Sequence, residues 1–136
     1  MKQKNSLALA VIATIAASAL TGCATQRQLS QSEIDEANAP LYCEGRDECD
    51  FMWRKAQVYV STASGYKIQT ATDSVIETYN APAYSMTWAY KLTKAPIKPG
   101  KDRILMTPSC GPAPICQGGP MEMVQMFKRH MRGSND

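Results

Sequence analysis

The chain has 136 residues, with 15 Lys and Arg against 12 Asp and Glu, one His and five Cys. That length suits one small domain. The cations form neither a long basic run nor an aromatic-rich basic pattern, which argues against nucleic-acid binding.

Lys2 and Lys4 precede an apolar run from Leu7 to Leu20, interrupted chiefly by the small residues Thr14 and Ser18. A cationic segment followed by roughly 14 apolar residues has the order of an export signal, and it falls short of the ~20 residues of a comfortable membrane span. The run ends at Leu20-Thr21-Gly22-Cys23. This motif resembles the lipobox that closes the signal peptide of small bacterial lipoproteins, and the resemblance covers residues 1–23. It implies that residues 1–22 are removed as a signal peptide, that Cys23 carries a diacylglyceryl group on its sulfur, and that the new amine receives a further acyl chain such as palmitate. Ala24 stands where an Asp would suggest retention at the inner membrane, so the resemblance favours the outer membrane, with the domain facing the periplasm.

The residue chemistry agrees with that resemblance. Small residues suit a protease groove that admits extended backbone, and Cys supplies the nucleophilic sulfur. Each buried methylene contributes about 0.8 kcal/mol, so more than one acyl chain gives durable anchoring. Removing the signal takes away Lys2 and Lys4, leaving 13 cationic against 12 acidic side chains, a balance of +1, in 114 residues. One modified Cys also leaves an even number for pairing in an oxidising compartment.

Residues 23–40 read as the lipidated Cys and a flexible tether. Gln26, Gln28, Ser30, Gln31, Ser32, Glu33, Asp35, Glu36 and Asn38 leave few apolar side chains to offset backbone ordering. A short helix from Glu33 to Ala37 would be marginal alone. A flexible tether of this length would hold the domain roughly 20 to 25 Å from the lipid. Residues 41–136 then form a small disulfide-containing domain, with residues 132–136 fraying.

Within that domain, Cys43 and Cys49 bracket Glu-Gly-Arg-Asp-Glu, and Cys110 and Cys116 bracket Gly-Pro-Ala-Pro-Ile. Four exported cysteines allow three pairings, and the sequence alone does not select among them. The turn-forming content of each short segment favours 43–49 and 110–116 as structural staples. Neither spacing matches the two-residue separation of common zinc or redox motifs, and the chain has one His, so no metal or cofactor is expected.

The elements follow in chain order. Asp47 is suited to cap a helix starting near Glu48, with Asp50 placed to cap reciprocally; Cys49, Met52, Trp53, Ala56, Tyr59, Val60 and Ala63 recur at helical intervals up to a stop at Ser64-Gly65. Tyr66, Ile68 and Thr70, then Ser74 to Tyr79, read as strands turning near Asp73. Met86, Trp88, Tyr90 and Leu92 alternate with Thr87, Ala89, Lys91 and Thr93 as a third strand. Pro96, Pro99 and Gly100 mark a turn before a fourth strand at Arg103–Thr107. Pro120 opens a final helix with Met123, Val124, Phe127 and Met131 on one face. The order implies a two-layer α+β domain, with N- and C-terminal helices packed on an antiparallel sheet of about four strands. Met52, Met86, Met123, Met126 and Met131 are expected to fill its core rather than to bind copper.

Catalytic signatures are weak. His130 sits where a helix-end contact explains it, and nothing in the sequence brings it to Ser109 with an acidic partner. Glu44, Asp47, Glu48 and Asp50 cluster at a helix start, and Gly118-Gly119 lacks the remainder of a phosphate loop. No catalytic residue is assigned. The function expected is a non-enzymatic, lipid-anchored interaction or accessory protein, attached to membrane lipid and meeting an envelope protein or peptidoglycan. An envelope enzyme acting on peptidoglycan, lipid or a small molecule is the alternative. Tyr42, Trp88 and Tyr90 are contact candidates that would serve equally as core.

Overall fold

The computed structural model describes residues 27–111 and 116–133; the segment expected to be a signal peptide, Cys23, Pro112 and Pro114 lie outside them. Eight elements follow in order: α1 (Gln31–Asn38), β1 (Leu41–Glu44), α2 (Arg46–Ala63), β2 (Ile68–Ala71), β3 (Val75–Thr78), β4 (Ala89–Lys98), β5 (Lys101–Ser109) and α3 (Pro120–Arg132). The strands form one antiparallel sheet in the order β1-β5-β4-β3-β2. Helices α2 and α3 pack on one face of it and α1 packs against α3, giving a two-layer α+β domain.

Alternation along the strands decides which face is buried. Leu92 lies opposite Met106 and Ile76, and Leu41 opposite Ile104, so these residues point into the helical layer. There they meet Trp53, Ala56 and Val60 of α2 and Phe127 and Met131 of α3. The intervening residues, Tyr42, Arg103, Leu105, Thr93, Lys91, Val75 and Glu77, line the other face. One end of the sheet, where β4 begins at Ala89 and β5 ends at Ser109, is called the upper end below. The tight β4–β5 connection at Pro99-Gly100 marks the lower end.

Several local features depart from the sequence expectation, each for an identifiable reason. There are five strands rather than about four, because Leu41–Glu44 adds an edge strand to β5. The second half of the expected tether is helix α1, closed by a capping box in which Ser30 and Glu33 bond reciprocally. Its last turn docks on α3, where the ammonium of Lys128 donates to the carbonyls of Ala37 and Ala39. Helix α2 starts at Arg46 with Gly45 as its cap, so Asp47 is a first-turn acid instead of the cap. Gly45 takes a left-handed φ of 76° and donates its N–H to the carbonyl of Gly100, also at 76°.

Pro96 belongs to β4, and the turn is confined to residues 99 and 100. The N–H of Lys94 points to the β3 side, where it reaches the carbonyl of Ser74, the residue just ahead of β3. Two residues further on, the imide nitrogen of Pro96 faces the same way, beyond the start of β3, where no ladder partner is lost. β4 also begins three residues later than Met86, since residues 79–88 form the upper connection. Met86 is consequently exposed and, on α3, Met126 is exposed as well, so neither is in the core, whereas Met131 is buried and Met52 and Met123 pack against the core edge.

Candidate functional site

The described cysteines pair as Cys43–Cys49 and Cys110–Cys116, with Cα separations of 5.0 and 6.3 Å. The first bridge ties the end of β1 to the first turn of α2. The second closes the segment between β5 and α3 at the upper end. Sulfur atoms of Cys43 and Cys49 and a carboxylate oxygen of Asp102 lie within 4.8 Å of one another. A metal would need thiolates there, and in this oxidised protein both sulfurs are consumed by their mutual bond.

The two residues weighed for hydrolytic chemistry are kept apart by the sheet. Ser109 shares the parity of Arg103, Leu105 and Thr107 and lies on the face away from the helices. His130 sits in the helical layer, its ring 5.1 Å from that of Tyr59, where burial and then nearby Lys55 hold its pKa below the ordinary value. The acidic cluster serves local structure: the Glu48 carboxylate accepts from the N–H of Glu44, and Glu44 pairs with Lys101 at 2.6 Å. That Lys101 contact lowers the pKa of Glu44.

The three aromatic contact candidates separate. Tyr90 is core, 3% exposed, and burial raises its phenol pKa. Trp88 packs at the core edge and donates its indole N–H to the carbonyl of Gln117. Tyr42 is exposed on the open sheet face, with the Lys101 ammonium 4.8 Å from its ring.

Convergent polar groups occur at a place the sequence reading did not single out. Asp50, Trp53, Arg54 and Gln57 of α2, the turn Ala71-Thr72-Asp73, and Lys94 of β4 enclose an open cleft of about 450 Å³. Trp53 fixes the back of it. Its indole N–H donates to the carbonyl of Thr72 at 2.8 Å, and Lys94 holds its ammonium 5.4 Å from the indole ring. Arg54 lies one residue beyond the buried Trp53, so helical geometry turns it out to the rim. Two cations and two carboxylates around an aromatic wall suit a ligand carrying both signs of charge and planar groups, such as a peptide. The helical periodicity of α2 marks Trp53 as inward-facing, but nothing in the sequence brings residues 71–73 and Lys94 beside it.

A second depression, lined by Arg27, Leu29, Ile34 and the start of α3 from Gly119 to Glu122, lies at the upper end. Arg27 bridges the two helices there, pairing with Glu33 and, at 3.5 Å, with Glu122. Among the described residues no helix is long and apolar enough to cross a membrane. No family model, no curated protein and no solved structure matches the chain.

Proposed function

We propose that this protein is a lipoprotein of the bacterial cell envelope, anchored through Cys23, whose folded domain is a non-enzymatic interaction module. The observation that carries the reading is the sulfur inventory. Four of the five cysteines are joined in two bridges, and the remaining one stands at the end of Leu20-Thr21-Gly22-Cys23, directly after the apolar run. The bridges suit an oxidising compartment such as the periplasm, where a small domain gains from covalent closure. Ala24 favours outer-membrane sorting in such a lipoprotein.

In this reading the acyl chains keep the domain at the bilayer, and the cleft between α2 and the β2–β3 turn receives the partner. The partner class that fits is a peptide segment of an envelope protein or of peptidoglycan. Arg54 and Lys94 would hold its carboxylates, Asp50 and Asp73 its amines. Cells supplied with labelled palmitate test the anchor. Label on the normal chain and its loss from a soluble Cys23→Ala variant are expected; a normal chain that is soluble and unlabelled would contradict the proposal.

A further inference from the structure

The chain enters the described domain at its upper end. Arg27 is held there by its pairing with Glu33 of α1 and Glu122 at the start of α3. Only three residues lie between Cys23 and Arg27, and the four steps from one to the other span at most about 14 Å. If Cys23 carries lipid, the upper end therefore cannot stand off from the bilayer, whatever path those residues take.

What that end displays is unusual for a surface facing water. In the connection between β3 and β4, Tyr79, Tyr84 and Met86 are 54%, 80% and 57% exposed. Tyr84 is the only described non-glycine residue at positive φ, 67°, a conformation that L side chains rarely adopt, and here it projects the ring outward. Met121 on the first turn of α3 is also exposed. The connection is not a loose loop: the carbonyl of Ser85 lies 3.7 Å from Cys110 Sγ and 3.5 Å from Cys116 Sγ, and Ser85 also bonds the hydroxyl of Tyr66. The second disulfide thus braces the base of the connection that presents Tyr84 and Met86. Trp88, the last residue of the connection, is tied to Gln117 ahead of α3, so connection, bridge and helix start form one continuous end surface.

We infer that this upper surface is a membrane-docking face, on which Tyr79, Tyr84, Met86 and Met121 rest in the interfacial region of the same bilayer that holds the acyl chains. The inference rests on the lipid anchor proposed above. Tyr rings favour that region because the ring is apolar and the hydroxyl stays hydrated. The acids nearest the entry point, Glu33 and Glu122, are both paired with Arg27, which limits their repulsion from anionic headgroups. Docking this face fixes the orientation of the domain. The polar cleft includes Lys94, about 16 Å along β4 from Ala89, and is thereby set back from the lipid toward the lower half.

The chain's two tryptophans report on this arrangement, because Trp88 lies at the proposed face and Trp53 lines the cleft. The acylated full-length protein is reconstituted into phosphatidylethanolamine–phosphatidylglycerol vesicles carrying a nitroxide at the headgroup. Trp53→Phe isolates one emission and Trp88→Phe the other, with acrylamide quenching of each variant in solution correcting for burial. After that correction, headgroup quenching of Trp88 should exceed that of Trp53 at least about threefold. In the Trp53→Phe background, the change Tyr84→Glu with Met86→Glu, at two exposed positions, should lower the Trp88 quenching at least about twofold. Equal quenching of the two tryptophans on vesicle-bound, acylated protein overturns the docking face while leaving the anchor intact, as does indifference to the glutamate pair. A Cys23 without acyl mass overturns the anchor, and the docking face with it.

Discussion

Lys128 offers the sharpest energetic test of how the domain begins. Its side chain is 8% exposed, and its ammonium donates to the carbonyls of Ala37 and Ala39, two groups that the end of α1 leaves without intrahelical partners. Lys128→Met keeps the length of the stem and removes both donors. Hydrogen bonds to a charged group contribute about 1.5–3 kcal/mol each. The charge is also costly to bury, and burial, followed by Arg132, holds the Lys128 pKa below its ordinary value. Relief of that cost, and partial access of water to the half-exposed Ala39, offset part of the loss, leaving a net destabilisation of about 2–3 kcal/mol. For a domain of this size the melting temperature should fall by about 10–20 °C. Lys55→Met serves as the control, since Lys55 is only partly buried and bonds one carbonyl, that of Met131 at 3.2 Å, where water can replace it, so the change should cost about 1 kcal/mol or less. Urea unfolding followed by circular dichroism gives both values, and amide exchange should show α1 opening first. Equal stabilities for Lys128→Met and the unmodified domain would refute the capping argument.

Three further outcomes are expected. Replacing Cys43 and Cys49 together by Ala frees a seven-residue loop and should lower stability by about 2 to 2.5 kcal/mol in denaturant titrations, less any strain relieved in the bridge. Phe127 is fully buried, with its ring 5.3 Å from Tyr59; Phe127→Ala should cost about 3–5 kcal/mol by thermal unfolding. Burial, with a smaller contribution from Tyr90, pushes the Tyr59 phenol up to about 12. A folded pKa above the unfolded value of 10 means that this stabilisation is complete below pH 10 and is lost as the pH rises toward 12. Tyrosinate absorbance should therefore show a late fraction appearing together with unfolding, and Tyr59→Phe should reduce it, leaving the part contributed by the buried Tyr90.

The parts of the fold legible in the sequence were those with a long period or a strong stop. The α2 stripe through Trp53, Ala56 and Val60 is buried as its spacing implies, and Ser64 ends the helix one residue before Gly65. Pro120 opens α3. The β2–β3 hairpin turns at Thr72–Ser74, where Thr72 and Val75 bond across Asp73. β1 was hidden because four alternating residues are too few to show a period, and its pairing with β5 is contributed from about 60 positions away. The start of α1 carries a local signal, the capping-box pattern Ser30-Gln31-Ser32-Glu33, that a reading by polar composition passes over. The helix is held by Lys128 and by Gln125, whose amide donates to Glu36 at 3.0 Å, and neither residue looks inward on an apolar helical face. The cleft was illegible for a related reason. Its members come from three elements, and their approach depends on sheet order, which no local pattern encodes.

Anchoring at residue 23 can be read from a single peptide. Trypsin cutting after Arg27 releases the segment that starts at the mature terminus, and its mass in protein isolated from the native host reports both processing and modification. The account predicts Cys-Ala-Thr-Gln-Arg beginning at Cys23 and carrying the mass of a diacylglyceryl group with a further acyl chain. A peptide in which Gly22 is still joined to Cys23, or in which the sulfur is free or bonded to another cysteine, would contradict it.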